Sequence, residues 1–394
     1  MLPRNTTGGE VVLYRHFAQW HQLSLAIATD NPDFLFAEDI IPVKRNPILN
    51  RLSKTRLSRW VHDIRQCFNT FGNCHQIENY IHKNKPALIF TVAHGELCWM
   101  ASKMSDRFNI PLVTFFHDWW PDSAYVHNWA RGIINRRFQY LYQQSSLALC
   151  VSEEMRQALG KHSNAQILPP IPDREPRVEY HNWHVEAARQ INSVGTQTES
   201  KFKVVYAGNL SDIYGSMMQK LCTSCHGIHE FKLTLFGSEP DWSYSLKEQV
   251  KKQKIYGGFL SRDLLTNELT KANALLVAMS FEKRDKKRME TSFPSKLVEY
   301  CQFGKPIIIW GPEYCSGVRW GREHQAALLV TSTLAGDLVN AIKALVNNRD
   351  EQECLGNKAR GMARGMFNPN KLQQQFVDSI YRVVTMNQGK ANVF

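Results

Sequence analysis

Two doubly wound α/β domains are what this sequence predicts, and three observations predict them. Short apolar runs such as Leu147 to Val151, Lys203 to Ala207 and Ile307 to Trp310 read as strands buried on both faces, the mark of a parallel sheet. Helical patterns separate these runs, so strand and helix alternate twice over. Between the two series lies a polar stretch, residues 173–200, ending in the Ser/Gly/Thr-rich I-N-S-V-G-T-Q-T-E-S, which reads as an interdomain linker with some local helix. The expected division is 1–172, a linker over 173–200, and 201–369.

The 394 residues suffice for two domains of ordinary size and a large core. A hydrophobic content of 43% with 21% charged residues fits a globular chain. No apolar run is long enough to predict a membrane span. The first residues, M-L-P-R-N-T-T-G-G, lack the apolar core of a secretory signal, so a cytoplasmic location is expected, with the inner face of the membrane as a peripheral variant. Nine cysteines, scattered without a framework spacing, fit a reducing compartment. Cys222-Thr-Ser-Cys225-His226 has the spacing of a haem attachment motif. No export signal accompanies it, and only His229 is near for zinc, so small buried thiols are the expected reading. No metal is expected. The net charge of +12 points to anionic partners: nucleic acid, an acidic membrane surface or anionic substrates.

Taken in order, residues 1–9 read as a loop ending in Gly8-Gly9, before a helix from about Glu10 with Val11, Tyr14, Phe17 and Ala18 on one face. A glycine pair before a helix lets backbone approach an anion closely. No apolar strand precedes it, so either the true start lies upstream or this domain lacks its first strand; the intact mass of the native protein tests this. Leu23 to Thr29 is the first visible strand. Residues 45–64 are basic and amphipathic. Leu57, Trp60, Val61, Ile64 and Phe68 share a face among Arg51, Lys54, Arg56 and Arg59. Such a helix either packs that stripe on the core or lies on an anionic membrane surface. Arg131 to Tyr142 repeats the pattern.

Ala87 to Val92 predicts a strand ending at His94-Gly95-Glu96. Pro111 to Phe116 predicts another, ending at His117-Asp118-Trp119-Trp120. Parallel sheets bind ligands just beyond the C-terminal ends of their strands. His117 there can exchange a proton or hydrogen-bond a hydroxyl, and His94 is a second candidate. In the second series, strand, Gly208-Asn209-Leu210 and helix form a phosphate-binding arrangement when other parts agree. Strands are also expected over 233–236, 254–259, 274–279 and 327–331, and an amphipathic helix over 370–385.

The stretch Glu290 to Pro312, E-T-S-F-P-S-K-L-V-E-Y-C-Q-F-G-K-P-I-I-I-W-G-P, predicts a helix capped by Ser292, with Pro294 in its first turn and Gly304 as a left-handed stop. Leu297, Val298 and Cys301 face a core. Ser295 and Lys296 lie in the first turn, where an anion is favoured. Glu299 stands one turn on, on the same face as Ser295. A phosphate at the helix mouth and a sugar hydroxyl on Glu299 would together be a nucleotide diphosphate; the plainer reading is a capped surface helix.

This segment, F-P-S-K-L-V-E-Y-x₃-G-K-P-I, resembles the donor site of GT-B glycosyltransferases, in particular the large retaining family 4. V-S-E-E-M at Val151 to Met155 resembles the segment closing the family's N-terminal domain. The resemblance implies two Rossmann-like domains facing a cleft, with the chain's end, 370–394, packed back on the first. It implies a nucleotide-diphosphate sugar as co-substrate, a UDP-sugar above others, and no required cofactor. His117, with Asp118, would meet the transferred sugar, and Glu299 would hold the ribose. Ser295, Lys296, Leu297, Gly208, Asn209, Phe259, Gly8 and Gly9 complete the implied donor set.

The sequence departs from the family twice. Thr291 stands where many members have a first glutamate, with Glu290 one position early, and Gly208-Asn-Leu-Ser-Asp has no following cation before Lys220. Lys296, or Arg288 in the charged loop 282–290, would supply that charge. The reading is a sugar transfer to a hydroxyl acceptor with retention. A degenerate nucleotide-binding chain or a sugar-nucleotide epimerase is the alternative. Nucleic-acid binding finds no module here.

Overall fold

The computed structural model describes residues 8–20, 22–30, 39–68, 74–123, 125–173 and 201–391. It divides into two compact units. The first holds the chain up to Ile171, the segment Lys283–Phe293, and everything from Asn370; the second holds Pro172–Glu282 and Pro294–Pro369. The short segment 283–293 is thus grouped apart from the residues on either side of it.

In the first unit, strands β1 (Ala26–Thr29) and β2 (Asp39–Pro42) pair with each other in parallel. The main sheet is also all parallel, in the order β3 (Ile89–Val92), β4 (Leu112–Phe116), β5 (Leu147–Cys150), β6 (Ala165–Ile167). Every residue of β4 is buried, as a central parallel strand flanked by helices requires. Phe116 is sealed edge-to-face by Phe138 and Tyr142. Such aromatic burial contributes about 1.5–3 kcal/mol per side chain. The final helix, Pro369–Ala391, adds Leu372, Phe376, Ile380 and Val383 to this core.

Two local readings change here. Gly8 and Gly9 open helix α1 (Gly8–Phe17) rather than a loop before it, a shift of the size by which helix starts fray. Helices α2 (Pro47–Leu52) and α3 (Ser58–Cys67) form where the basic pattern lay, but α3 turns part of its apolar stripe outward. It buries Val61 and Cys67 as expected of a core face, but with them Asp63, Arg65 and Gln66, whereas Leu57, Trp60 and Phe68 are 48%, 49% and 55% exposed. The polar side is buried because it has partners. Asp63 accepts from His127 Nδ1 at 2.5 Å, Gln66 accepts from Trp99 Nε1 at 2.9 Å, and Arg65 lies 3.8 Å from Glu96. Helix α6 (Asn128–Gln144) packs against α3 and buries Ile134, Phe138 and Leu141.

The second unit is a parallel sheet in the order β11-β10-β9-β7-β8: Leu328–Val330, Ile307–Trp310, Ala274–Ala278, Phe202–Ala207 and Phe231–Phe236. Ile307 to Trp310 is fully buried. The strand expected over 254–259 reduces to a single bridge, Leu235 to Tyr256. Left-handed backbone at Lys254 (φ 54°) and Gly258 (φ 81°) breaks the extension on either side.

Candidate active site

The first unit brings His94, His117 and Asp118 together at the ends of β3 and β4. His94 follows Val92 through a turn in which Gly95 takes φ 72°, a conformation that favours glycine. The His94 ring lies 5.6 Å from that of His117 and 6.0 Å from Trp120. Among the described residues, His117 Nδ1 is buried without a hydrogen-bond partner, as are the indole N–H groups of Trp119 and Trp120. Its Nε2 lies 3.8 Å from Asp118 Oδ2, too far for a hydrogen bond but close enough to favour the proton on that nitrogen. Burial pushes the His117 pKa down, against the pull of Asp118, so the ring is neutral at neutral pH and Nδ1 is an acceptor. The His94 pKa is pulled down as well, by burial and then by His117, although the residue is exposed, which weakens the effect of burial.

Asp118 binds the segment that follows the strand Ala274–Ala278 of the second unit's sheet. Its Oδ2 accepts from Arg288 Nη2 at 3.0 Å and its Oδ1 from the Ser292 hydroxyl at 2.5 Å. Burial alone would raise its pKa, but His117, Arg288 and Ser292 together hold the carboxylate below its ordinary value. Asp118 therefore anchors the segment 283–293. Around this anchor, Thr291 is buried, its hydroxyl donating to Lys287 O and its own carbonyl accepting from Ser152 at 2.5 Å. Lys287 Nζ lies 4.9 Å from the centre of the Trp119 ring. Glu290 is 3.7 Å from Lys286. Arg288, Glu290 and Thr291 thus belong to the unit that carries His117, as do Gly8 and Gly9.

Ser292 is not the cap of the donor helix. It closes the short helix Lys286–Thr291. Phe293 precedes a proline and is kept from helical backbone. The donor helix α12 starts afresh at Ser295, runs to Cys301, and has Pro294 as its N-cap. It ends as read, with Gly304 at φ 58°.

In the second unit, α12 exposes Lys296 and Glu299, 3.4 Å apart, and buries Val298, Tyr300 and Cys301. Ser295 opens the helix. The Leu297 side chain is fully buried and its N–H donates to Pro294 O at 3.0 Å. Tyr300 ties this helix to β7 by donating to Ala207 O at 3.4 Å. Beyond β7, Gly208 sits where a Cβ would fall 2.8 Å from Tyr206 Oη. Asn209 shapes the turn: its side chain accepts from Ser211 N and its carbonyl from Tyr206 Oη at 2.8 Å. Across from it, a Cβ on Gly237 would meet Gly208 O at 2.1 Å. Phe259 is 69% exposed. Cys222 and Cys225 are free thiols, and burial pushes both up to about 12.

Residues 7–170 match the model of Glycosyltransferase Family 4. HepE of Anabaena, solved in complex with UDP and glucose, aligns over 97% of both chains with a TM-score of 0.66 at 14% identity. The chain has the GT-B fold and resembles the family 4 glycosyltransferases. Two further GT-B neighbours agree. A glycosyltransferase of Rickettsia africae aligns over 98% of this chain and 97% of its own, with a TM-score of 0.66 at 15% identity. WaaG, a glycosyltransferase involved in lipopolysaccharide biosynthesis, aligns over 94% and 95%, with a TM-score of 0.60 at 12% identity. No curated protein sequence gives a significant match. Among the described residues no helix is long and apolar enough to cross a membrane.

Sequence reasoning placed His117 and His94 at strand ends and Ser295 to Cys301 in a helix, as the structure has them. It missed the anchoring role of Asp118 and the contribution of Ser292, since both depend on partners more than a hundred residues apart in the chain.

Proposed function

We propose that this protein transfers a sugar from a nucleotide-diphosphate sugar, a UDP-sugar first among them, to a hydroxyl acceptor with retention of anomeric configuration. The observation that carries the reading is His117: a buried, neutral imidazole at a strand end whose Nδ1 has no hydrogen-bond partner among the described residues. A buried acceptor of this kind costs free energy until a ligand donates to it, and a sugar hydroxyl is such a donor. The family match over residues 7–170 and the UDP and glucose bound by HepE support the choice of ligand.

On this reading Glu299 receives the ribose hydroxyls and Lys296 faces the diphosphate, offsetting the charge that grows on the leaving group. The Lys296–Glu299 pair at 3.4 Å opens when the donor enters. Asp118 acts on the sugar through others: it fixes segment 283–293 and favours the His117 tautomer with Nδ1 free to accept. The chain is then an enzyme of the hexosyltransferase type, with the sugar nucleotide as co-substrate.

The test is release of UDP from UDP-sugars in the presence of candidate acceptors, with the product's anomeric configuration read by NMR. His117→Ala should lower turnover by roughly 5- to 150-fold, the loss of one buried hydrogen bond. An inverted product would refute retention. Tight UDP binding with no turnover for any acceptor would instead identify a nucleotide-binding chain without transfer, a reading favoured by the absence of a cation between Gly208 and Lys220.

A further inference from the structure

The charged segment 283–293 and helix α6 together line an open cavity of about 410 Å³ in the first unit, a size that suits a small molecule. Arg131 comes from α6, and Lys283, Arg284, Lys286 and Lys287 come from the segment. Two carboxylates share the lining, Asp122 and Glu290, so five cations against two acids leave an excess of three positive charges. Asp285, the remaining acid of the segment, is buried and stands outside the lining. The anchor on Asp118 orients this wall. On the helix Lys286–Thr291, Lys286, Lys287 and Glu290 share one side, while Arg288, which pairs with Asp118 at 3.0 Å, stands about 150° further round. Among the described residues, Arg131 Nε is buried without a hydrogen-bond partner, and its Nη2 reaches Ser123 O only at 3.5 Å. An orphaned guanidinium N–H carries a cost that an anion relieves.

We propose that this cavity holds a phosphate monoester carried by the acceptor. The inference rests on the sugar-transfer reading and names the chemical class of the acceptor. A phosphate monoester has a charge of about −1.5 to −2 at neutral pH and three strong acceptor oxygens. That matches the excess in the lining better than a carboxylate or a phosphodiester, each with a single charge. The guanidinium forks of Arg131 and Arg284 suit its oxygens in pairs, and the lysines add point charge. Every residue of the lining belongs to the unit that carries His117, whereas Glu299 and Lys296, read as the donor's contacts, belong to the other. His117 and Asp122 are five residues apart in the chain, so their Cα atoms lie at most about 18 Å apart, a separation on the scale of a short oligosaccharide. A phosphate on the acceptor can therefore sit here while its hydroxyl lies near His117.

The experiment is titration calorimetry of the full chain with glucose 6-phosphate, glucose, inorganic phosphate, and phosphatidic acid in a neutral detergent, each with and without saturating UDP. Glucose 6-phosphate and phosphatidic acid both carry a phosphate monoester, and the one that binds tells whether it arrives on a soluble sugar or on a lipid. At least one phosphate probe should bind, glucose should not, and UDP should leave that binding in place. Lys283→Gln combined with Arg284→Gln should weaken it by about tenfold or more. Both residues are exposed, so this variant should melt as the wild type does and bind UDP unchanged. Arg131→Lys, which keeps the charge and loses the fork, should weaken it by about fivefold. No binding of any phosphate probe, equal binding of glucose, or binding indifferent to the double substitution would overturn the proposal. So would displacement of the probe by UDP, since the cavity would then belong to the donor's site. Absence of UDP binding in the wild type, with the phosphate probe still bound, would count against the donor reading alone.

Discussion

Replacing Asp118 with alanine should release segment 283–293 from the first unit. The carboxylate accepts two hydrogen bonds from that segment, Arg288 Nη2 at 3.0 Å and Ser292 Oγ at 2.5 Å. A hydrogen bond to a charged group contributes about 1.5–3 kcal/mol. The Arg288 side chain is 38% exposed, so solvent screening brings its share down to about 1 kcal/mol. The combined loss is then about 2–4 kcal/mol, concentrated on the short helix Lys286–Thr291 and its closing turn, where Ser292 N donates to Arg288 O at 2.8 Å. In the regime where exchange follows local opening, that loss speeds amide hydrogen exchange by roughly 30- to 700-fold. Asp118→Asn keeps an acceptor for Ser292 and loses mainly the charge pair, so it should show only about a fivefold change. Mass-spectrometric exchange on peptides covering 283–293, with the β5 peptide as an internal control, measures both. Unchanged exchange of 283–293 in Asp118→Ala would refute the anchoring role, whatever happened to activity.

Three further outcomes follow from particular contacts. Burial lowers the His117 pKa, so between its ordinary value of 6.5 and the lowered one the unfolded chain binds more protons than the folded one. Stability from this group is present above pH 6.5 and is lost as the pH falls through the lowered value; urea melts across that range should show a shallower pH slope in His117→Gln than in the wild type. Gly237→Ala drives a methyl into Gly208 O and should cost about 1–3 kcal/mol in the second unit, seen as a lower denaturant midpoint; an unchanged midpoint would mean that the Gly208 turn is not held as described. Leu297→Ala should cost about 2–5 kcal/mol, because the side chain is fully buried, and a loss under about 1 kcal/mol would mean that it is not packed as described.

What the sequence disclosed was local. Ile307 to Trp310 reads as a buried strand because an unbroken apolar run has no other use at that length, and it pairs in parallel on both sides. Gly304 stops α12 with the positive φ that glycine tolerates. Helix α12 was legible from its own residues, except at its start: Ser292 fitted a cap by type, but its hydroxyl donates to Asp118. Helix α3 shows what local pattern cannot settle. Its apolar stripe predicted a core face, yet buried Asp63, Arg65 and Gln66 find His127, Glu96 and Trp99, all at least thirty residues away. Such partners can override amphipathic pattern, since hydrogen bonds and ion pairs offset part of the desolvation cost of a buried polar group. The strand Asp39–Pro42 was missed for the same reason, being fixed by pairing with Ala26–Thr29.

The most direct test of the account is binding of UDP and UDP-glucose to the wild type, Glu299→Ala and Lys296→Ala, followed by thermal shift and titration calorimetry. The donor reading predicts that the wild type binds, with a stabilisation of about 2.7 kcal/mol at a hundred times Kd. Both variants should lose that binding while melting within about 1 kcal/mol of the wild type, since a partly exposed pair such as theirs adds little to the fold. Donor binding in either variant equal to that of the wild type, or no binding of any nucleoside diphosphate by the wild type, would contradict it.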